Sequence, residues 1–288
     1  MNDAGTGPAD ADGTGSGDAG SSDARPVVGV LGGMGPAATW DFCLRLHRAT
    51  PAKRDQEHLH VRVDCDPSVP DRNAAAAGAG PSPGPHLARM ARGLAAAGAE
   101  LLCMPCNTAH AYADAIRSAT SLPFVDMIEA TIMDAAEALR RVAPDVAPDV
   151  TPGPTPGATR IGLLATTATV RSGLYHRAAE ARGLTIVEPD ANDQDRVMAL
   201  VYAVKAGEAG ADARAELARL AQRSCSQGAE AIVLGCTELP ILIDGAESSG
   251  PWAAGAGPPR VGCSDALARA VVRAARAGRE PRPAAHRP

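Results

Sequence analysis

The sequence predicts two α/β units of related topology, each built on a parallel sheet. Short apolar runs alternate with longer Ala/Leu/Arg-rich stretches, the pattern of strand–helix–strand units. A segment of the chain also recurs: Gly98-Ala-Glu-Leu-Leu-Cys-Met-Pro-Cys106 returns as Gly228-Ala-Glu-Ala-Ile-Val-Leu-Gly-Cys236. The opening strands match too, Val28-Gly-Val-Leu-Gly against Ile161-Gly-Leu-Leu-Ala, at similar distances upstream of those cysteines.

In chain order, residues 1–25 are Gly, Ala, Asp and Ser with too little apolar content to offset the entropy of ordering, and read as a disordered tail. The first unit spans 26–127. Its strands are expected at Val27–Leu31, Val61–Val63 and Leu101–Met104, and its helices at His86–Ala97 and Thr108–Ser118. The second unit spans 128–263, with strands at Ile161–Leu164, Thr185–Val187 and Ala231–Leu234. Its helices are expected at Ile128–Val142, Arg196–Ala206 and Ala211–Gln227. A Pro/Thr/Gly stretch at 143–159 reads as a linker, and 245–259 as a surface insertion. A last helix at about 264–278 is expected to pack back on the first unit, leaving 279–288 as a fraying tail.

Each repeated segment places a helix-ending Gly, a buried strand and then a cysteine where the strand stops. Ligands of open parallel sheets bind beyond the carboxyl ends of the strands. Two such units facing one another would present Cys106 and Cys236 to one shared cleft.

Composition narrows what that cleft serves. Hydrophobic residues make up 45% of the 288 and aromatic residues 2%, so the core must be Ala, Val, Leu and Ile. A net charge of −5 argues against a nucleic-acid surface, which needs clustered Lys and Arg. No apolar stretch approaches the roughly 20 residues that span a bilayer. Seven cysteines with no secretory segment point to free thiols in a reducing cytoplasm.

Paired thiols suit one chemistry in particular. Inverting a stereocentre without a cofactor removes a proton from one face and returns one to the other, so two groups must flank the carbon. Thiolate is a soft base with little solvation, and its proton affinity falls at a helix N-terminus or near positive charge. Asn107 and Thr108 open a helical pattern, which is expected to put Cys106 at such a terminus. Thr237 and Glu238 follow Cys236, although Pro240 limits any helix there.

Other readings stand beside this one. Either cysteine could be a small core residue. Cys103 and Cys106 form a C-x-x-C with no second pair, and strand alternation would send the two side chains to opposite faces. Cys43, Cys65, Cys225 and Cys263 read as structural. The loop GGMGP at 32–36 lacks the spacing of a nucleotide loop, so Gly33 and Met34 read as backbone approaching a small substrate. Lys205 taken alone is a solvated helix lysine, His110 a supporting first-turn residue, and 55–57 a solvated acidic turn.

Seven motifs occur in order: GVLGGMGPAAT (29–39), TPAKRDQEH (50–58), VPDR (69–72), MPCNTAHA (104–111), LLATTAT (163–169), YAVKAG (202–207) and GCTELP (235–240). Together they resemble the aspartate racemase branch of the aspartate/glutamate racemase superfamily, from about Val27 to Ala277. The resemblance implies two flavodoxin-like domains related by a pseudo-twofold axis, with the active site in the cleft between them. It implies a homodimer, a small amino-acid substrate, and a two-base mechanism that uses neither pyridoxal phosphate nor metal. Cys106 and Cys236 would be the paired acid/base thiols. Arg72 and Lys205 would hold the side-chain carboxylate of aspartate, and Asn107, Thr108 and Thr237 would surround the α-carboxylate. An Arg can grip a carboxylate bidentately, and charge building on the α-carboxylate must be stabilised.

Cys65 or Asp66, Asp126 and Gly262-Cys-Ser depart from the family's usual residues, and Asp64 or Asp66 could divert Arg72 from substrate. Three functions therefore compete: aspartate racemisation; another superfamily reaction, such as glutamate or broad-range racemisation; and a catalytically silent small-ligand-binding module.

Overall fold

The computed structural model describes residues 25–142, 159–244 and 257–277. The tail, most of the 143–159 linker and 245–259 insertion, and the carboxy-terminal tail lie outside the described residues.

Two four-stranded, all-parallel sheets form the frame. The first contains β1 (Val28–Gly32), β2 (Val61–Cys65), β3 (Leu101–Cys103) and β4 (Phe124–Val125) in the order β2-β1-β3-β4. The second contains β5 (Arg160–Leu164), β6 (Thr185–Val187), β7 (Ala231–Leu234) and β8 (Arg260–Gly262) in the order β6-β5-β7-β8. The two orders are the same, as the sequence repeat predicts. In each, the chain steps to one side of the opening strand and then crosses to the other. That reversal opens a crevice at the strand ends between β1 and β3, and between β5 and β7. Registers correspond as well: Val28 and Val30 pair with Leu101 and Cys103, while Ile161 and Leu163 pair with Ala231 and Val233. Each central strand is buried on both faces, which is why it reads as a continuous apolar run.

Helices cover both faces of both sheets. The first unit carries α1 (Pro36–Ala49), α2 (Arg72–Ala76), α3 (Gly84–Ala96) and α4 (Ala113–Ala119). The second carries α5 (Met127–Val142), α6 (Thr167–Arg171), α7 (Leu174–Glu180), α8 (Ala191–Lys205), α9 (Ala211–Ser226) and α10 (Glu238–Ile243). The last helix, α11 (Cys263–Ala277), returns to the first sheet, where Leu267 and Val271 pack with Val28, Val30, Phe42 and Leu46. Leu87, Leu94 and Ile116 fill the opposite face. Aliphatic clusters of the same kind cover the second sheet, with Tyr175 as a fully buried aromatic.

The helices before β3 and β7 end alike. Gly98 and Gly228 both adopt left-handed backbone, at φ +87° and +95°, and turn the chain into the strand. Residues with a Cβ resist that region, so the repeat keeps glycine at both positions.

Three local expectations are corrected. The stretch Thr108–Ser118 is not one helix but a 3-10 turn, Thr108–Tyr112, followed by α4. Cys106 therefore does not stand at the start of an α-helix. A short helix does form after Cys236, because Pro240 occupies its first turn, where no intrahelical N–H is needed. Finally, α1, α2, α6, α7, β4 and β8 were not evident in the sequence pattern.

Candidate active site

Cys106 and Cys236 both stand just past the carboxyl end of the third strand of their sheet. After β3, Pro105 turns the chain so tightly that the Cys106 N–H donates to the Met104 carbonyl at 2.9 Å. After β7, Gly235 leads directly to Cys236. Each cysteine is 5% exposed.

The Cys106 side is fixed by His110. Its Nδ1 lies 2.8 Å from the Cys106 carbonyl, and its Nε2 lies 3.1 Å from the Met127 N–H. A carbonyl can only accept and an N–H only donate, so His110 is the neutral tautomer protonated on Nδ1. Burial holds its imidazole below the ordinary value and keeps it uncharged.

On the other side, the Cys236 thiol donates to Glu238 Oε2 at 3.0 Å. Thr237 Oγ1 donates to the same oxygen at 3.1 Å, and Lys205 Nζ lies 3.5 Å from Oε1. Burial pushes the Cys236 thiol well above its ordinary value, and the Glu238 charge adds to that. For Lys205, burial works against the ammonium. Glu238, then Cys236 and Cys106, outweigh it and hold Lys205 above its ordinary value, against opposition from Arg72. One ammonium is thus in electrostatic reach of both thiols and of Arg72.

Arg72 opens α2, behind the Asp71 cap. Its Nη1 donates to the carbonyls of Val69 and Pro70 at 3.1 and 3.0 Å, and its Nη2 to that of Met34 at 3.3 Å. It makes no ion pair among the described residues. Asp66 instead accepts from Ser68 and contacts His86 Nε2 at 2.6 Å, interactions that draw its carboxyl down to about 2. The feared diversion of Arg72 by Asp64 or Asp66 is not present. Asp126 also faces elsewhere: it caps α5 through the Ile128 N–H and pairs with Arg117.

Gly33 and Met34 act as the anchor of this corner. A Cβ on Gly33 would meet the Asp66 backbone at 2.3 Å, at a φ of +92°. Only glycine lets the loop after β1 lie against the loop after β2. Met34 is buried beside Val69 and offers its carbonyl to Arg72.

Asn107 and Thr108 turn their side chains into the seam between the units, whereas Thr237 bonds to Glu238 of its own unit. Asn107 accepts from the Tyr175 hydroxyl at 2.7 Å and donates to Cys263 Sγ at 3.1 Å. The Thr108, Thr166 and Thr169 hydroxyls close a buried ring at 2.9, 3.1 and 2.9 Å. These bonds tie the residues after Cys106 to α6, with its Thr166 cap, and to α7 of the other unit. A Cβ on Gly35 would stand 3.9 Å from Glu238 Oε1, so Glu238 meets the first unit as well.

Sequence reasoning missed Glu238, Tyr175, Thr166, Thr169 and Cys263 as parts of this site. Glu238 carried a signal, a lone carboxylate opening the apolar run ELPILI beside a cysteine. Thr166 also carried one, a hydroxyl capping a helix after a strand. Tyr175 and Cys263 carried none.

A family model described as Asp/Glu/Hydantoin racemase matches residues 31–271. The chain belongs to the Asp/Glu/hydantoin racemase family. It is an isomerase, an amino-acid racemase. The solved Picrophilus torridus aspartate racemase superposes with a TM-score of 0.68 at 28% identity, over 87% of this chain and 94% of that one. The broad specificity amino-acid racemase RacX of Bacillus subtilis is 26% identical over 236 residues, 78% of this chain and 91% of its own. An uncharacterized Pectobacterium carotovorum protein is 42% identical over 86 residues, 30% of this chain and 57% of that relative's length.

Proposed function

We propose that this racemase interconverts L- and D-aspartate by two-base proton transfer at Cα, with Cys106 and Cys236 as the acid–base pair. The carrying observation is that the two thiols stand at equivalent strand ends of two repeated units, with Lys205 in electrostatic reach of both. One thiolate removes the α-proton. The other thiol returns a proton to the opposite face, and the roles reverse for the other enantiomer. No electron acceptor takes part, since the carbanion's charge rests on the α-carboxylate and is stabilised by fixed donors and cations.

Arg72 supports the choice of a dicarboxylate. Its three carbonyl bonds orient the guanidinium and leave the Nε hydrogen and one on Nη2 without acceptors among the described residues. Asn107 keeps one Nδ2 hydrogen for the α-carboxylate. The likeness to the Picrophilus aspartate racemase points the same way.

A second reading, broad-range racemisation, has its own observation: Glu238 offsets one of the two cations, which lowers the cost of admitting a neutral side chain. The likeness to RacX, over 78% of this chain and 91% of that one, favours it too.

Incubation with a panel of L-amino acids in D2O tests both. Loss of the α-proton signal and decay of optical rotation for aspartate far ahead of the others supports the first reading. Comparable rates for neutral amino acids support the second. No exchange with any amino acid would overturn the racemase mechanism altogether.

A further inference from the structure

The Cys236 thiol is surrounded unequally. From α10 it faces the Glu238 carboxylate at 3.0 Å, with Thr237 Oγ1 on the same oxygen. From α8 comes Lys205, whose ammonium meets the other Glu238 oxygen at 3.5 Å. From α11 and α7 come Cys263 and Tyr175, while Arg72 and Cys106 of the first unit act on Lys205. Glu238 itself is 4% exposed, so water screens it little. Cys106 is set differently: among the described residues no carboxylate is hydrogen-bonded to its thiol, and His110 holds only its backbone carbonyl.

We propose that Glu238 is a positioning residue that keeps the proton on Cys236 in the free enzyme, so that Cys106 makes the first proton abstraction. This deepens the two-thiol reading and rests on it. A carboxylate within hydrogen-bonding distance of a buried thiol accepts the S–H and repels the thiolate that would replace it. Lys205 limits the effect by neutralising part of the Glu238 charge. In the first half-reaction the α-proton moves to Cys106 Sγ, and the Cys236 proton passes to the opposite face of the carbanion. Cys236 thiolate is thereby left beside Glu238 in the product complex, so the two enantiomers are bound by differently charged forms of the site. Lys205 and Glu238 decide how different those forms are.

Thiol-specific alkylation reads this directly. The full-length chain is treated with iodoacetamide over a range of pH, and each cysteine is followed by peptide mass spectrometry. In Glu238→Gln, which keeps shape and hydrogen bond but removes the charge, the Cys236 rate at neutral pH should rise at least tenfold. Its pH midpoint should move down while the Cys106 profile stays in place. In Lys205→Met, which leaves Glu238 charged and unpaired, the Cys236 midpoint should move up. A Cys236 profile unmoved in either variant overturns the proposal, as does a parallel shift of both thiols in Glu238→Gln. Kinetics supply a second signature. Enantiomers have equal free energy in water, so kcat/KM must stay equal for L and D substrate, whereas Glu238→Gln should change kcat and KM unequally between them. Failure of the two-thiol mechanism is separable: alanine variants of the cysteines would keep racemisation, yet the Cys236 profile would still respond to Glu238→Gln.

Discussion

His110 holds Cys106 by its backbone rather than by its thiol, with Nδ1 2.8 Å from the Cys106 carbonyl and Nε2 3.1 Å from the Met127 N–H. The bond works only with a neutral ring, and burial keeps it neutral by lowering the imidazole's proton affinity. The unfolded chain therefore binds a proton at a pH where the folded chain does not. Stability is fully present above the ordinary histidine value of about 6.5 and is lost as pH falls below it toward the folded value. Thermal melts from about pH 8 to about pH 5 should show this decline. His110→Asn should be less stable at neutral pH but have a shallower acid slope. An unchanged slope would show that another group carries the acid sensitivity.

Cys106→Ala and Cys236→Ala should each abolish racemisation, because a proton taken from one face must be replaced from the other. Single Cys→Ser variants should keep slow α-proton exchange from one enantiomer only. Polarimetry combined with exchange in D2O checks both. Near-normal racemisation by either alanine variant would end the two-thiol model.

Arg72→Ala should cost at least two orders of magnitude in kcat/KM for aspartate, roughly 3 kcal/mol. Aspartate should far outrun alanine and asparagine, since a neutral side chain leaves Arg72 desolvated and unpaired. Glutamate should fall behind by less, because one methylene is worth about 1–3 kcal/mol. Steady-state kinetics over D- and L-amino acids decide the matter. A neutral amino acid as best substrate, with Arg72→Ala nearly silent, would move the assignment to the broad-range reading.

Gly33→Ala should destabilise the protein by at least about 1–3 kcal/mol, the usual cost of holding a side chain in disfavoured backbone. The added Cβ meets the Asp66 backbone at 2.3 Å, and neither loop yields cheaply. The shift should also disturb Met34 and therefore Arg72, raising KM for aspartate. Urea unfolding and substrate titration measure the two effects. A variant as stable as the wild type would mean that the loop after β1 relaxes freely.

The repeated units, their parallel strands and the placement of Cys106 and Cys236 at strand ends were legible in the sequence alone. Those features are local: glycine at φ +87° and +95°, a doubly buried strand and the turn that ends it all leave marks on adjacent residues. Elements without such marks were missed. With two residues, β4 is too short to show alternation, and α1 carries Trp40 and Leu44 on its exposed face, which blurs its apolar stripe. The surroundings of the thiols were decided by tertiary structure. Tyr175 and Asn107 are 68 positions apart, Asn107 and Cys263 are 156 apart, and Thr108 and Thr166 are 58 apart. Lys205 reaches Glu238 from a different helix. A buried polar group must find a partner, but its own sequence neighbourhood does not say which one. Periodicity and turn chemistry built the two halves, and the packing of one against the other chose the charges and hydrogen bonds around each sulfur.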